Sequence, residues 1–364
     1  MAKKPQKTQK QFIFGTGALP DPIDKRDYIL DDFVAAAGEI KIDWDKGYDI
    51  RNEIGGDIFF KNQCSSSSCV GQGVSYYGWV KQIIEVISKY NSKLEQIRSE
   101  HPSDVNDFSA KSIYSQIFLP PTGGAYIRDG MKKLCEWGCA KDSDVPSNKA
   151  DGSTDEDFMR DKSWINENIT SIASIFKGKD YRTISATSNM DLFAYAIMNN
   201  HGVVGGVYGS NNGTWSSENP QPPIDGIGWG HCIYFGAFGK DELGKFIAFP
   251  NSWGNILGKK WYSGAPNGYG WQKLRESYFV DGGKYIFSPW TYTDNLNNNQ
   301  EDMPQTNVKI IKDANSKAVG FWCPANNEDG FISMARNYGI NPPLNDDGTL
   351  NWDKVEIQGT LTLK

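Results

Sequence analysis

Acyl transfer through a cysteine needs a thiolate, an imidazole to exchange protons with it, a group that orients the imidazole, and donors for the oxyanion. With six cysteines and only three histidines in 364 residues, the choice of pair is narrow. Cys69 stands at the start of an apolar-periodic segment, behind the polar turn NQCSSSS that also carries Gln63. A thiol there meets the positive end of a helix, where the dipole and open backbone N–H groups favour the thiolate. His231 heads a strand-like run, GHCIYFGAF, after a glycine-rich turn, and Asn251 ends a second run, FIAFPNSWG, with Trp253 beside it. Two adjacent strands could set His231 and Asn251 side by side. The amide would then accept an imidazole N–H and fix the tautomer, with Trp253 keeping water from that bond. Taken singly, these residues also have ordinary structural readings, Cys69 as a small buried hydrophobe and His231 as a satisfied histidine at a strand end. His101 lies in a polar loop and reads as solvated surface. His201 ends a helix in NNHG, where a capping or dipole role fits better than catalysis.

The elements that must position these groups follow from periodicity. Val70, Val74, Tyr77, Ile84 and Ile87 recur at spacings of three, four and seven, with Val80 and Ile83 on the flank. That pattern predicts a helix buried on one face, extending past Ile87 toward KLEQIRSE at 93–100. Ser65 to Ser68 supply hydroxyls for its first turn. Gly71 and Gly73 weaken a helix and so mark places of close packing. Further helices are expected at 108–118 with Ser109 as cap, at 127–137 stopped by Gly138, and at 189–202 with Met190, Phe193, Ala194 and Ile197 on one face. From about 164 the runs ITSIASIF, YRTIS, GVVGGVYG, HCIYFGAFG, KFIAFPNSW and KYIFSPW read as short strands. The intervening DVPSNKADGSTDEDFMRDK, 144–162, reads as an acidic surface excursion with little core material.

Hydrophobic content of 38% with 13% aromatic residues indicates a folded, globular chain, and the 38 glycines favour an α+β protein over a helix bundle. A net charge of −6 argues against a nucleic-acid surface. No apolar run reaches the ~18 residues of a membrane span. The basic N-terminus MAKKPQKTQKQF has no apolar region behind it, so no secretory signal is expected. Reduced thiols follow as the default, with the cytoplasm of the producing cell or a virion as the expected location. Cys135 and Cys139 have a spacing that could hold a metal, but no histidine stands beside them, and neither metal nor cofactor is expected.

Gln63 six residues before Cys69, then His231 heading a strand, then Asn251-Ser252-Trp253-Gly254, resembles the papain-like cysteine peptidases over roughly residues 40–287. The resemblance implies a two-lobed α+β fold, with a helical lobe carrying the nucleophile helix and an antiparallel, β-barrel-like lobe. It makes Cys69 the nucleophile, His231 its proton partner and Asn251 the orienting group. Gln63, with the Cys69 N–H, forms the oxyanion hole. Gly123 and Gly124 match the strand that pairs with an extended polypeptide substrate, with Trp253 nearby. The 162 residues from Cys69 to His231 exceed the family's roughly 130–150, and loops at 144–162 and 211–228 could absorb the excess. Val70 replaces an aromatic residue, Cys64 replaces a glycine, and Ser66 and Pro121 stand where a disulfide is common. SSSSCVGQ and IYSQIFLPPTGGAYIRDGMKKL look more like the divergent enzymes of phages and small bacteria. Only about 40 residues precede the body, so the long inhibitory propeptide of secreted members is not expected.

The expected organisation is a flexible basic tail and arm at 1–39 and a peptidase domain at 40–287, its helical lobe at about 50–162 and its β-rich lobe at about 163–287. An Asn/Gln-rich linker at 288–306 and a small C-terminal module at 307–364, with no partner identified, complete it. The expected activity is hydrolysis of peptide bonds through a Cys69 thiolate–His231 imidazolium pair and an acyl-enzyme. Cleavage of peptidoglycan amides and a catalytically silent virion component are the competing readings.

Overall fold

A computed structural model describes residues 16–37, 40–224, 228–254 and 271–292, and the backbone of 310–312 and 318–320. In chain order the elements are β1 (Ala18–Leu19), α1 (Leu30–Ala37), β2 (Tyr48–Asp49), α2 (Ile50–Ile54), α3 (Cys69–Tyr90), α4 (Leu94–Glu100), α5 (Ala110–Ile117), β3 (Ala125–Tyr126), α6 (Ile127–Glu136), α7 (Glu156–Arg160) and α8 (Glu167–Ala173). There follow β4 (Tyr181–Thr183), α9 (Met190–Asn200), β5 (Val203–Gly209), β6 (Trp229–Phe235), β7 (Ala237–Asp241), β8 (Gly244–Pro250), β9 (Trp271–Arg275), β10 (Ile286–Tyr292), β11 (Ile310–Lys312) and β12 (Ala318–Gly320). The chain divides into two compact units, residues 1–297 and 298–364.

Helix α3 is the spine of the first unit. Val70, Val74, Tyr77 and Val80 are buried, but so is every other residue from Cys69 to Lys81, while Ile84 and Ile87 are only partly buried. The helix is therefore enclosed on all sides in its first three turns, and not on the one face that the periodicity predicts. Asn91 enters the left-handed region at φ 47° and ends the helix at Tyr90, so KLEQIRSE forms a separate helix, α4, instead of a continuation. The serine hydroxyls do not cap α3. Ser68 Oγ instead accepts from the Gln72 amide at 3.2 Å and pairs with Ser66 Oγ at 2.8 Å, and Ser66 Oγ donates to the Gln63 carbonyl at 2.7 Å. Ser109 caps α5 by accepting from Ser112 N, and Gly138, at φ 95°, follows the end of α6.

Two antiparallel four-stranded sheets, in the orders β4-β10-β5-β6 and β2-β7-β8-β9, make up the strand-rich half. They are open sheets, so the expectation of a barrel-like lobe is corrected: β6 and β7 are consecutive but pair in different sheets. ITSIASIF is also not a strand. The Asn166 side chain accepts from Ile169 N and starts α8, and that cap outweighs the β-branched composition. One core surrounds α3, and a second, with Phe193, Phe235, Ile247, Phe249 and Leu274, lies against α9 and the sheets.

Two other expectations change. The arm is not a free tail where it is described, since Ala18, Leu30 and Val34 are buried. Strand β10 runs through Tyr292, five residues into the segment expected as linker, and Trp290 and Tyr292 sit in the first core. In the second unit β11 and β12 pair antiparallel, as expected for VKIIKD and AVGFWCP. The helix expected at DGFISMARNYG, the closing strand WDKVEIQGTLTLK and the small core at Phe321, Trp322 and Cys323 lie outside the described residues.

Gly71 shows how tightly α3 is held. A Cβ there would meet the Ala110 carbonyl oxygen at 2.5 Å and Tyr114 Cβ at 2.8 Å, both on α5. Gly71→Val is therefore expected to cost about 1–3 kcal/mol, read as a lower urea midpoint at unchanged slope.

Candidate active site

Cys69 is the first residue of α3 and is fully buried. The loop before it is tied to the strand-rich half by backbone pairing. Gln63 N donates to Ser252 O at 2.8 Å, Gly254 N donates to Lys61 O at 3.0 Å, and Asn62 and Trp253 form the antiparallel bridge between them. Cys64, at the position of the family's glycine, takes the left-handed conformation at φ 45°. The Lys61 ammonium anchors the other side of this segment, bonding Asp107 at 2.6 Å and the Phe108 carbonyl at 2.7 Å. Gln63 is itself fully buried. Its Oε1 accepts from Ser252 Oγ, and its Nε2 donates to Ser66 O at 3.0 Å.

His231 is the third residue of β6 and fully buried. Its Nε2 lies 3.0 Å from Asn251 Oδ1, while its Nδ1 has no hydrogen-bond partner among the described residues. Asn251 follows the end of β8, so the pair meets across two sheets rather than on adjacent strands. Trp253 stacks on the imidazole, with centroids 4.7 Å apart and planes 24° apart, and Trp215 and Trp229 approach edge-on at 6.1 and 6.3 Å. Trp253 is only 3% exposed, which makes it a wall of the histidine and not a floor for a ligand in this state.

Burial dominates the electrostatics. It pushes the Cys69 thiol up to about 11, against backbone N–H groups of Cys232, Val70, Ala18 and Gly17 that favour the thiolate. It pushes His231 down to about 4, against the Asn251 hydrogen bond. Both groups are therefore neutral at pH 7 in this state, as thiol and imidazole, and not as an ion pair.

Around His231 the burial comes from the three tryptophan rings, and beside Cys69 the arm contributes to it. Gly17 N donates to Gly230 O at 3.0 Å, Ala125 N donates to Gly17 O at 2.9 Å, and β1 pairs in parallel with β3, Ala18 opposite Ala125. Gly17 passes so close that a Cβ would meet Ser67 O at 2.5 Å. Asp21 holds the arm down, accepting from Trp290 Nε1 at 2.7 Å and from Arg128 N at 3.1 Å, while the Arg128 guanidinium reaches Asp27 and Pro22 O. Gly123 and Gly124 take φ 84° and 81°; Gly124 lies against the Gly17 carbonyl, whereas Gly123 faces Glu156 and Arg160. The Gly124 N–H and C=O are already committed to Tyr114 Oη and Leu119 N, so the ladder bond to the arm comes from Ala125.

Several contributors escaped the sequence reading. Glu156, in the acidic excursion, accepts from Ser67 N at 2.7 Å, from Tyr114 Oη at 2.6 Å and from Arg160 Nε at 2.9 Å, so that excursion supports the nucleophile loop. Trp215, a lone large aromatic in the polar loop NNGTWSSENP, was the available signal for the histidine cage. Gln272 bonds Asn251 from β9, and a glutamine in a short strand gives no sequence signal of its own. His101 stacks on Tyr90, and His201 bonds Lys81 and Glu53, both away from Cys69 in separate contacts.

No protein-family model matches the sequence, and no curated protein does. Solved structures share the fold. Xylellain, a cysteine protease from Xylella fastidiosa, superposes with a TM-score of 0.56 at 17% identity, over 79% of this chain and 99% of that one. ProCathepsin B S9 from Trypanosoma congolense does so with a TM-score of 0.50 at 10% identity, over 77% and 86%. No helix among the described residues is long and apolar enough to cross a membrane. The fold of this chain is that of the papain-like cysteine peptidases.

Proposed function

We propose that the chain is a cysteine peptidase that hydrolyses polypeptides bound in extended conformation, held here in a covered state by its own arm. The observation that carries this reading is the arm itself. An extended backbone lies in the groove between β3 and Gly230, with Gly17 and Ala18 beside Cys69. A groove that satisfies one polypeptide backbone there offers the same hydrogen bonds to another.

Catalysis then starts with departure of the arm. Water reaches the thiol, the desolvation that held it neutral falls away, and the Cys69 proton passes to His231 Nδ1, the bare nitrogen. The thiolate attacks the scissile carbonyl carbon, and its oxygen takes the negative charge, facing the Gln63 amide and the Cys69 N–H. Collapse breaks the C–N bond as His231 returns the proton to the leaving amine. Water, deprotonated by His231, then attacks the thioester and frees Cys69.

Cys69→Ala is expected to abolish turnover of a denatured protein substrate, and Gln63→Ala to lower kcat by roughly 10²–10³-fold, about 2.7–4 kcal/mol of transition-state stabilisation. Normal turnover by Cys69→Ala ends the assignment. Digestion of purified cell wall with no cut in protein would move the substrate to peptidoglycan.

Displacing the arm without removing it is the second test. Gly17→Val places side-chain atoms into Ser67 at a cost of about 1–3 kcal/mol to the docked state, so an epoxysuccinyl thiol probe should label Cys69 roughly tenfold faster or more. Equal rates in the variant and the parent would mean that the arm does not gate the thiol.

The His231 shift also has a thermodynamic consequence. Its folded value, about 4, lies below the ordinary 6.5, so between these values the unfolded chain holds the extra proton. Stability from this group is complete above about pH 6.5 and is lost as pH falls toward 4, by about 3 kcal/mol. Urea midpoints at pH 7 and 4.5 should differ less in His231→Gln than in the parent chain.

A further inference from the structure

Two amide side chains in series, Gln272 and Asn251, reach the imidazole, and their donor counts settle which way each one faces. Gln272 is fully buried on β9, and β8–β9 pairing sets it opposite Phe249, two residues before Asn251. Its Nε2 lies 2.9 Å from the Trp215 carbonyl and 2.8 Å from the Ser217 carbonyl. Carbonyls only accept, so both amide hydrogens are committed and Oε1 must be the atom facing Asn251. Oε1 in turn only accepts, so the Asn251 atom 2.6 Å away is Nδ2, a donor. The opposite end of the Asn251 amide is then Oδ1, an acceptor, and it faces His231 Nε2 at 3.0 Å. Nε2 must carry the proton, and Nδ1 is left bare.

From this geometry we infer that Gln272 is a positioning residue for the Cys69–His231 pair. It locks the Asn251 amide against rotation and so fixes the histidine tautomer whose free nitrogen can take the thiol proton. Without Gln272 the Asn251 side chain has two orientations. The flipped one turns Nδ2 toward the ring, stabilises a bare Nε2 and puts the proton on Nδ1, where it blocks proton transfer from sulfur. The register reaches further, because the carbonyls that hold Gln272 belong to the Trp215–Ser217 segment, and Trp215 also packs edge-on against His231. One short loop therefore sets both the wall of the imidazole and its protonation pattern. The consequence for rate rests on the peptidase reading above, whereas the tautomer does not.

The experiment is nitrogen-15 NMR of the full chain carrying labelled histidine at pH 7, where three rings give three sets of signals. Assignment uses His231→Gln. The expected result is a neutral His231 ring protonated at Nε2, with that N–H protected from exchange. A ring with Nε2 bare in the parent chain overturns the inference, even if no Gln272 variant folds. In Gln272→Met, which keeps the bulk and loses the amide, the ring should show both tautomers and the N–H should lose its protection. A folded Gln272→Met protein with the parent's single protected Nε2–H also overturns it. In turnover, Gln272→Met should lower kcat roughly 10–100-fold at little-changed KM, and should add nothing further in an Asn251→Ala background. An additive loss there would assign Gln272 a purely structural role. If the parent chain cleaves nothing, the peptidase reading falls while the NMR result still decides the role of Gln272.

Discussion

The short antiparallel contact between residues 61–63 and 252–254 is the constraint on which the site depends. Two backbone hydrogen bonds and one bridge join the loop before the nucleophile to the segment after Asn251. They set the Gln63 amide beside Ser252 and bring Trp253 over His231. Cys69 comes from the helix-rich half and His231 from the strand-rich half, so neither half holds both. The buried Lys61–Asp107 pair fixes the far side of the same segment, and a charge buried there is tolerable because a carboxylate and a carbonyl both receive it.

On the reading proposed above, uncovering Cys69 changes its dielectric surroundings more than its contacts. The backbone around the Cys69 sulfur favours a thiolate, yet burial outweighs it and pushes the thiol up, as burial pushes His231 down. The same residues thus hold a proton on sulfur when dry and can release it when wet. On that reading, control of the chemistry lies in the arm's backbone pairing and in the Asp21 contacts with Trp290 and Arg128.

Much of this was legible in the sequence where one physical signal dominated. Helices α3, α5, α6 and α9 follow from apolar spacing, with Ser109 and Gly138 marking ends of α5 and α6. Cys69, His231 and Asn251 stood out because so few residue types can do this chemistry. What escaped has no periodic signature. The arm docks through backbone hydrogen bonds and one aspartate, which leave no apolar pattern. Strand β9 is buried along its whole length, Gln272, Lys273 and Arg275 included, so alternation does not mark it. ITSIASIF has the composition of a strand, and a single asparagine cap decided for helix.

The loop that presents Cys69 is held by hydroxyls and amides, Ser66 to Gln63, Ser68 to Gln72, and both of its cysteines, Cys64 and Cys69, are free thiols outside any disulfide. Its shape is therefore indifferent to reducing agents. The thiol itself needs reduction to stay free, and the scaffold around it asks for nothing from the redox state of its surroundings. Strong reductant can restore an oxidised Cys69 without loosening the turn that aims it.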